Sequence, residues 1–425
     1  MMLCNLFLSL TRFVLLGKTS DFLFTRSDVS FPSKFPKTGL YLHIPFCRQI
    51  CPFCPYNKTL FSKKLALSYK SALIKEINLY KKILSDTFLH SLYIGGGTLT
   101  TMVDSLMDII DYLKKNLNLG DEIGIEIHPN DVNSRTLEKL KGGGVNMISL
   151  GVQSFNDKYL RILGRNYDGE TAEKSLKQVL ASNFEAVDVD ILFSLPSQNV
   201  SDVVADISKA FSLGVDQVSC YPLIVFSCTQ MPRILGQKNM RVPNLFQEKK
   251  MLDKIINLAE KFRYERTSIW TFTKKGSPRY TSVTREFFVG LGAGAASYIP
   301  GYFYINTFSI AEYIKATKKK LPIALVAKLT EKEQMGWWLF WRFYNTCFSK
   351  DRFRELFHLD IHQAFGFIFR VLVLLRIVQE DQNMIRLTKL GAFLFHLVEQ
   401  QYSLSYLNKT WSSLSKEPWP EKLEL

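Results

Sequence analysis

From Gly39 onward the chain alternates two hydrophobic patterns. Short, nearly continuous apolar runs rich in β-branched residues are followed by longer stretches in which apolar residues recur every three to four positions. The first pattern is that of a strand buried on both faces, the second that of an amphipathic helix. Together they predict strands over 40–44, 91–94, 123–127, 147–151, 187–193 and 217–221, and helices at about 60–85, 103–116, 134–141, 169–182 and 201–212. Strand and helix alternating in this way read as six β/α units of a parallel sheet or barrel. After Tyr264 the rhythm fades into further strands and a glycine-rich segment, Leu291-Gly-Ala-Gly-Ala-Ala-Ser297. From about Leu329 the pattern turns helical and aromatic, with Trp337, Trp338, Trp341, Phe343 and Tyr344, then 365–375. A polar turn over 380–383 ahead of 385–391 reads as the wing and last helix of a winged-helix unit. The expected division is an N-terminal arm over 1–38, an α/β core with its extension over 39–325, and a C-terminal, mainly helical, winged-helix-like domain over 326–425.

Composition narrows the class. With 47% hydrophobic and 22% charged residues in 425, the chain is that of a folded protein with more than one domain. The net charge of +15 is dispersed along amphipathic stretches such as 63–82 and 352–376. A solvated basic surface accounts for it, and a nucleic-acid partner is not expected. Residues 1–17 are apolar but interrupted by Asn5 and Arg12, too short and polar to cross a bilayer and lacking the charged leader of a signal peptide. They are expected to form a short amphipathic helix. No later run is long enough to span, so an integral membrane protein is not expected. Of seven cysteines, three fall within eight residues, which is no disulfide framework. Thiols so crowded hold metal and need a reducing compartment, the cytoplasm.

Those three stand as Cys47-Arg-Gln-Ile-Cys51-Pro-Phe-Cys54, at the end of the first strand. A cubane [4Fe-4S] cluster takes one thiolate per iron, so three thiolates would leave one iron open to a ligand. The spacing alone also fits a zinc site completed by a distant His or Cys. The context favours the cluster: Tyr41-Leu-His-Ile-Pro-Phe46 precedes the loop, and Gly95-Gly-Gly-Thr98 ends the second strand, where glycines expose backbone groups to a zwitterionic ligand. Further polar residues sit at later strand ends: Glu126, Gln153 and Asp190. In parallel α/β folds these ends form the active face.

Seven ordered motifs then carry a family resemblance: 41–47, 94–100, 125–130, 150–156, 163–165, 189–198 and 290–298. The chain resembles the radical S-adenosylmethionine (SAM) proteins typified by oxygen-independent coproporphyrinogen III oxidase and its haem-chaperone relatives. The resemblance implies a partial (β/α)6 barrel and a [4Fe-4S] cluster held by Cys47, Cys51 and Cys54. SAM would chelate the open iron and be cleaved to a 5'-deoxyadenosyl radical. By motif match Gly97 and Thr98 would contact the methionine part of SAM, and Tyr41, Phe53, Glu126, Gln153, Arg165 and Asp190 would line its pocket. Arg165 offers a fork for a carboxylate, and Glu126 or Asp190 can accept from hydroxyls or an ammonium. The resemblance also implies a reducing donor such as flavodoxin or ferredoxin and an acidic, flat substrate such as a tetrapyrrole.

Two departures matter. The oxidase pattern reads Cys-Gly-Cys after the third cysteine, where this chain has Cys54-Pro55-Tyr56. The haem-chaperone relatives carry a His-Asn pair before the glycine-rich segment, where this chain reads Ser282-Val-Thr-Arg-Glu-Phe-Phe288. The leading expectation is an oxidoreductase acting on a tetrapyrrole or similar acidic molecule, with a haem-binding chaperone or a radical SAM methyltransferase as alternatives. Elsewhere, His358 and His362 are spaced to share a helical face, and Cys220 and Cys228 are expected to be small apolar fillers.

Overall fold

The computed structural model describes residues 22–280 and 286–425. The expected helix over 1–17 and most of the 282–288 stretch lie outside them. The strands are β1 (Leu23–Thr25), β2 (Thr38–Ile44), β3 (Phe46–Cys47), β4 (Thr59–Leu60), β5 (Leu89–Gly96), β6 (Leu119–Ile127), β7 (Met147–Gln153), β8 (Ala186–Phe193), β9 (Gln217–Pro222), β10 (Tyr264–Arg266), β11 (Thr271–Lys274), β12 (Phe287–Leu291), β13 (Ala296–Ile299), β14 (Tyr302–Asn306), β15 (Ile323–Lys328), β16 (Cys347–Ser349), β17 (Val378–Glu380), β18 (Met384–Leu387) and β19 (Lys422–Glu424).

Fourteen of them form one open sheet in the order β10-β11-β9-β8-β7-β6-β5-β2-β12-β13-β14-β15-β1-β19. The six predicted strands are β2 and β5 to β9, all parallel, so the partial barrel is present and not closed. A seventh parallel strand, β12, joins on the far side of β2, with Phe287 opposite Thr38 and Leu291 opposite Leu42. Helices cover one face of the parallel strands, where Leu40, Leu42 and Ile44 are inaccessible, and the alternate residues, Tyr41 and the nearly buried His43 among them, face a cavity on the other side. Local chemistry fixes where those helices start. Asn133, Asp168 and Asn199 each accept a backbone N–H in the first turn, and Asn199 and Asp202 form a reciprocal capping box. Such a cap is worth ~1 kcal/mol.

The C-terminal region is built on the helix Glu331–Tyr344, the three-stranded sheet β16-β18-β17 and the helices Lys350–Phe357, Ile361–Leu374 and Lys389–Tyr402. The β17–β18 hairpin stands where the wing was expected. The helix after it is not the last, because a π turn, Ser403–Leu407, and a further helix, Asn408–Lys416, follow. The chain then returns to the large sheet, where β19 pairs antiparallel with β1, Leu23 opposite Glu424. Residues from both the expected arm and the expected C-terminal domain thus complete the sheet's edge, and the position 325/326 falls within β15. Glu286, just before β12, binds Arg352 in a bidentate pair and accepts from Trp338 Nε1 at 3.2 Å, tying the C-terminal helices to the sheet.

Candidate functional site

The cysteine loop is held by backbone before any ligand is considered. Its ends are closed by the short parallel pair β3–β4, with Thr59 N donating to Pro45 O at 2.7 Å and Phe61 N to Cys47 O at 2.9 Å. Asn57 Nδ2 donates to the carbonyls of Ala293 and Phe308, both at 2.9 Å, and Lys58 Nζ to Cys54 O at 2.6 Å. Gly97 lies so close beneath that a Cβ there would stand 2.4 Å from Phe46 O. Gly164, in the left-handed region at φ 66°, leaves no room for a Cβ beside Pro52, and its carbonyl accepts from Gln49 Nε2 at 3.0 Å. Glycine at both positions is therefore required by close approach.

Cys47 is buried, Cys51 and Cys54 partly so. Burial raises the Cys47 thiol, partly offset by hydrogen bonds from Thr98, and pushes Cys54 up to about 11 against the nearby Lys58. Both hold their protons until a metal displaces them. Cys51 accepts from Arg165 Nη1 at 3.5 Å. Among the described residues no three His, Cys, Asp or Glu side chains are grouped about a single ion. A cubane, with one thiolate per iron, does not ask for that convergence.

Arg165 lies between the rings of Phe53 and Tyr167, 5.5 and 5.8 Å from their centroids, and its Nη2 donates to Gly151 O at 3.4 Å. Its buried Nε has no partner. Opposite it are two carboxyls. Glu126 accepts from Tyr93 Oη at 2.6 Å and Gly96 N at 3.4 Å, yet burial still raises its pKa. Asp190 accepts from Ser149 Oγ at 3.0 Å and is pushed well up by burial, then by the charges of Asp188 and Glu126. Asp188, also buried, rises to about 7. Gln153 adopts the left-handed backbone at φ 68°, uncommon without glycine, where β7 ends. Tyr41 Oη is 2.8 Å from His43 Nδ1, and His43 Nε2 is 2.8 Å from Asn57 O. Burial lowers His43 to about 4, so it is a neutral imidazole accepting from Tyr41 and donating to the cysteine loop.

All eleven predicted site residues line one cavity of about 630 Å³: the three cysteines with Tyr41, Phe53, Gly97, Thr98, Glu126, Gln153, Arg165 and Asp190. The unpaired Arg165 Nε, the three thiols and the exposed glycine backbone fit a cluster with an amino-acid chelate. The sequence reading missed the cavity's other half. Asp188 had a signal, since it is two residues before Asp190 and so on the same strand face. Of the roof, the sequence reading names Trp337 and Trp341 as part of an aromatic helical stretch and does not single out Tyr402, Tyr406 or Trp411. His358 and His362 do not share a helical face: His358 is the left-handed cap ending one helix, at φ 52°, and His362 opens the next beside Glu380. Cys220 is buried as expected, but Cys228 is exposed.

Residues 41–210 match the model of the Radical SAM superfamily, and this part of the chain is a radical SAM domain. Radical SAM homologues bind a [4Fe-4S] cluster and SAM, and Cys47, Cys51 and Cys54 supply the cysteine motif here. Among curated relatives, the chain is 29% identical over 364 residues to a protein of Bacillus subtilis named heme chaperone HemW, covering 83% of this chain and 96% of the relative. It is 28% identical over 308 residues to anaerobilin synthase of Escherichia coli O157:H7, covering 70% and 69%. The solved structure of coproporphyrinogen III oxidase (HemN) from Escherichia coli superposes with a TM-score of 0.75 at 20% identity, covering 91% of this chain and 97% of that one. That last likeness establishes the fold.

Proposed function

We propose that the protein is a haem-binding radical SAM protein of the haem-chaperone kind, which receives the tetrapyrrole between the cysteine loop and the aromatic roof. The observation that carries this reading is one continuous cavity joining the three thiols to the indole and phenol rings of the C-terminal helices. Such a lining suits a flat apolar ring with acidic substituents. Two relatives named heme chaperone HemW, from Bacillus subtilis and Lactococcus lactis, are matched over 96% and 98% of their lengths, which favours this function over the oxidase. Cys54-Pro55-Tyr56, in place of the oxidase pattern, points the same way.

In this reading Cys47, Cys51 and Cys54 hold the cluster. With SAM bound, the cluster supplies one-electron reductive cleavage of SAM. Gly97 and Thr98 offer backbone to the methionine part. Arg165 orients a carboxylate, while Glu126, Asp190 and Gln153 accept or donate around the sugar and ammonium. Tyr41 and Phe53 pack the pocket walls. A flavodoxin- or ferredoxin-type donor and a reducing compartment such as the cytoplasm complete the requirements; among the described residues no helix is long and apolar enough to cross a membrane.

A second reading, an oxidoreductase acting on the same class of ligand, draws on the acidic pair and Arg165 facing the cysteines. Anaerobic reconstitution with iron and sulfide, followed by haem titration and assay of SAM cleavage, separates the two. About four irons per chain with stoichiometric haem binding and no tetrapyrrole turnover is the expected result. Failure of the reconstituted protein to bind haem would overturn the proposal, and tetrapyrrole-dependent SAM consumption would establish the second reading in its place.

A further inference from the structure

The helix Ile361–Leu374 is apolar on two opposite faces. Ile361, Phe365 and Phe369 recur every four positions and are buried in the core of the C-terminal region. On the far side Phe367, Val371 and Leu374 follow at the same helical spacing and stand in the open, Phe367 exposed by 73% and Leu374 by 81%. Leu375, which caps the helix, is exposed too and continues the ridge. Scattered apolar residues on a surface are ordinary, but a continuous row of them along one helix marks an interaction surface.

The ridge is also cationic. Arg370 lies within it and Arg376 just past its end, both exposed. Among the described residues neither guanidinium is paired with a carboxylate, and Arg370 Nε reaches only Gly366 O, at 3.4 Å. The nearby acids are already taken: Asp351 and Asp360 by Arg354, Glu355 by Arg352, Glu380 by Lys350 and Asp381 by Arg386. From Ile361 to Gln379 the chain holds no Asp or Glu at all. These charges bear on what can cover the ridge. A second copy meeting it across a two-fold axis would bring like charges together in one apolar contact. Residues 1–20 of the chain hold Arg12 and Lys18 and no acid, so they offer no better match. A bilayer with anionic headgroups supplies both partners at once, phosphates for the arginines and acyl chains for the protruding Phe367 and Leu374, and it needs no complementary groove.

We propose that the ridge formed by Phe367, Val371, Leu374 and Leu375, with Arg370 and Arg376, is a docking surface for an anionic lipid bilayer, which holds the protein at the membrane surface without crossing it. The apolar side chains enter the acyl boundary and the arginines stay at headgroup level. The assignment depends on neither the cluster nor the haem reading.

The test is sedimentation of the full, cluster-reconstituted chain with two kinds of vesicle, phosphatidylcholine alone and phosphatidylcholine mixed with anionic phosphatidylglycerol. The wild type is expected to sediment with the mixed vesicles, more weakly with the neutral ones, and to lose the difference as salt is raised. Phe367→Ser and Leu374→Ser should each weaken binding to mixed vesicles roughly tenfold, the loss of one inserted apolar side chain. Arg370→Gln with Arg376→Gln should weaken it about fivefold per arginine and leave binding to neutral vesicles nearly unchanged. Lys318→Gln with Lys319→Gln removes the same charge from exposed positions after the helix Ile310–Ala316 and should cost no more than about twofold. A wild type that ignores both vesicles would overturn the proposal, as would vesicle binding that survives the ridge variants or falls equally in the Lys318 and Lys319 control. A concentration-dependent dimer that Phe367→Ser abolishes, without vesicle binding by the wild type, would make the ridge a contact between copies instead. Thermal melts confirm that each variant folds, and the arginine pair keeps the test decisive if a serine variant does not.

Discussion

At the cysteine end of the cavity the chain is positioned by backbone. Gly97 sits under Phe46, Gly164 against Pro52, and Asn57 reaches two carbonyls of the glycine-rich turn and the segment after β14. At the roof the work is done by side chains: Trp337 stands in contact with Phe22, Phe303, Trp341 and Tyr402, and Trp270 and Glu248 meet through His396. Backbone contacts of the first kind tolerate almost no added volume. Aromatic contacts of the second kind are spread over many partners and can rearrange. One end is suited to holding a fixed cofactor, the other to accommodating a guest.

The sharpest way to break this contrast is Cys51→Ala. Iron content is expected to fall from about four per chain to near zero and SAM cleavage to vanish. Haem affinity, set by the roof, should stay within about threefold, roughly 0.7 kcal/mol. A parallel collapse of haem binding would show that the two ends are not separable. Next is Gly97→Ala, whose methyl group meets a carbonyl and cannot be accommodated by side-chain movement. A loss of about 1–3 kcal/mol in urea unfolding, together with loss of iron, is expected. For the roof, Trp337→Ala should cost a comparable ~3 kcal/mol or less, with haem affinity lowered and iron content unchanged.

The smallest effect concerns Glu76, which accepts from Gly292 N, Asn306 Nδ2 and Tyr313 Oη and thereby fixes the glycine-rich turn. Burial raises it from 4.5 to about 7, outweighing those hydrogen bonds. A folded pKa above the unfolded one means its contribution is complete below pH 4.5 and is lost as pH rises toward about 7. Glu76→Gln should flatten stability against pH across that window, which chemical unfolding at pH 5 and pH 7 would reveal.

Much of the cysteine end could be read from the sequence because its determinants are contiguous. Helix Val103–Asn116 has the predicted bounds, and the six parallel strands lie within a few residues of theirs, since each is a short run rich in buried apolar residues, broken by polar ones such as Asp188 and Asp190 that face the cavity. The roof was less legible. Phe22, Trp270, Tyr344, Glu399 and Trp411 come from distant segments, and no local period marks them as sharing a cavity. Strands β1 and β19 are three residues each, too short for alternation to show, and gain their meaning from one another. Asn57 carries no motif either, yet it anchors the cysteine loop to a turn more than 230 positions away.

That anchoring bears on what variation the protein can accept. From β3 to β4 the chain is held close against Gly97 at Phe46, fastened to Gly164 through Gln49 and to the glycine-rich turn through Asn57, each a different part of the fold. An inserted residue anywhere from 48 to 58 would have to surrender one of these fastenings. Among natural variants, side-chain substitutions in this loop should therefore be found far more readily than any change in its length.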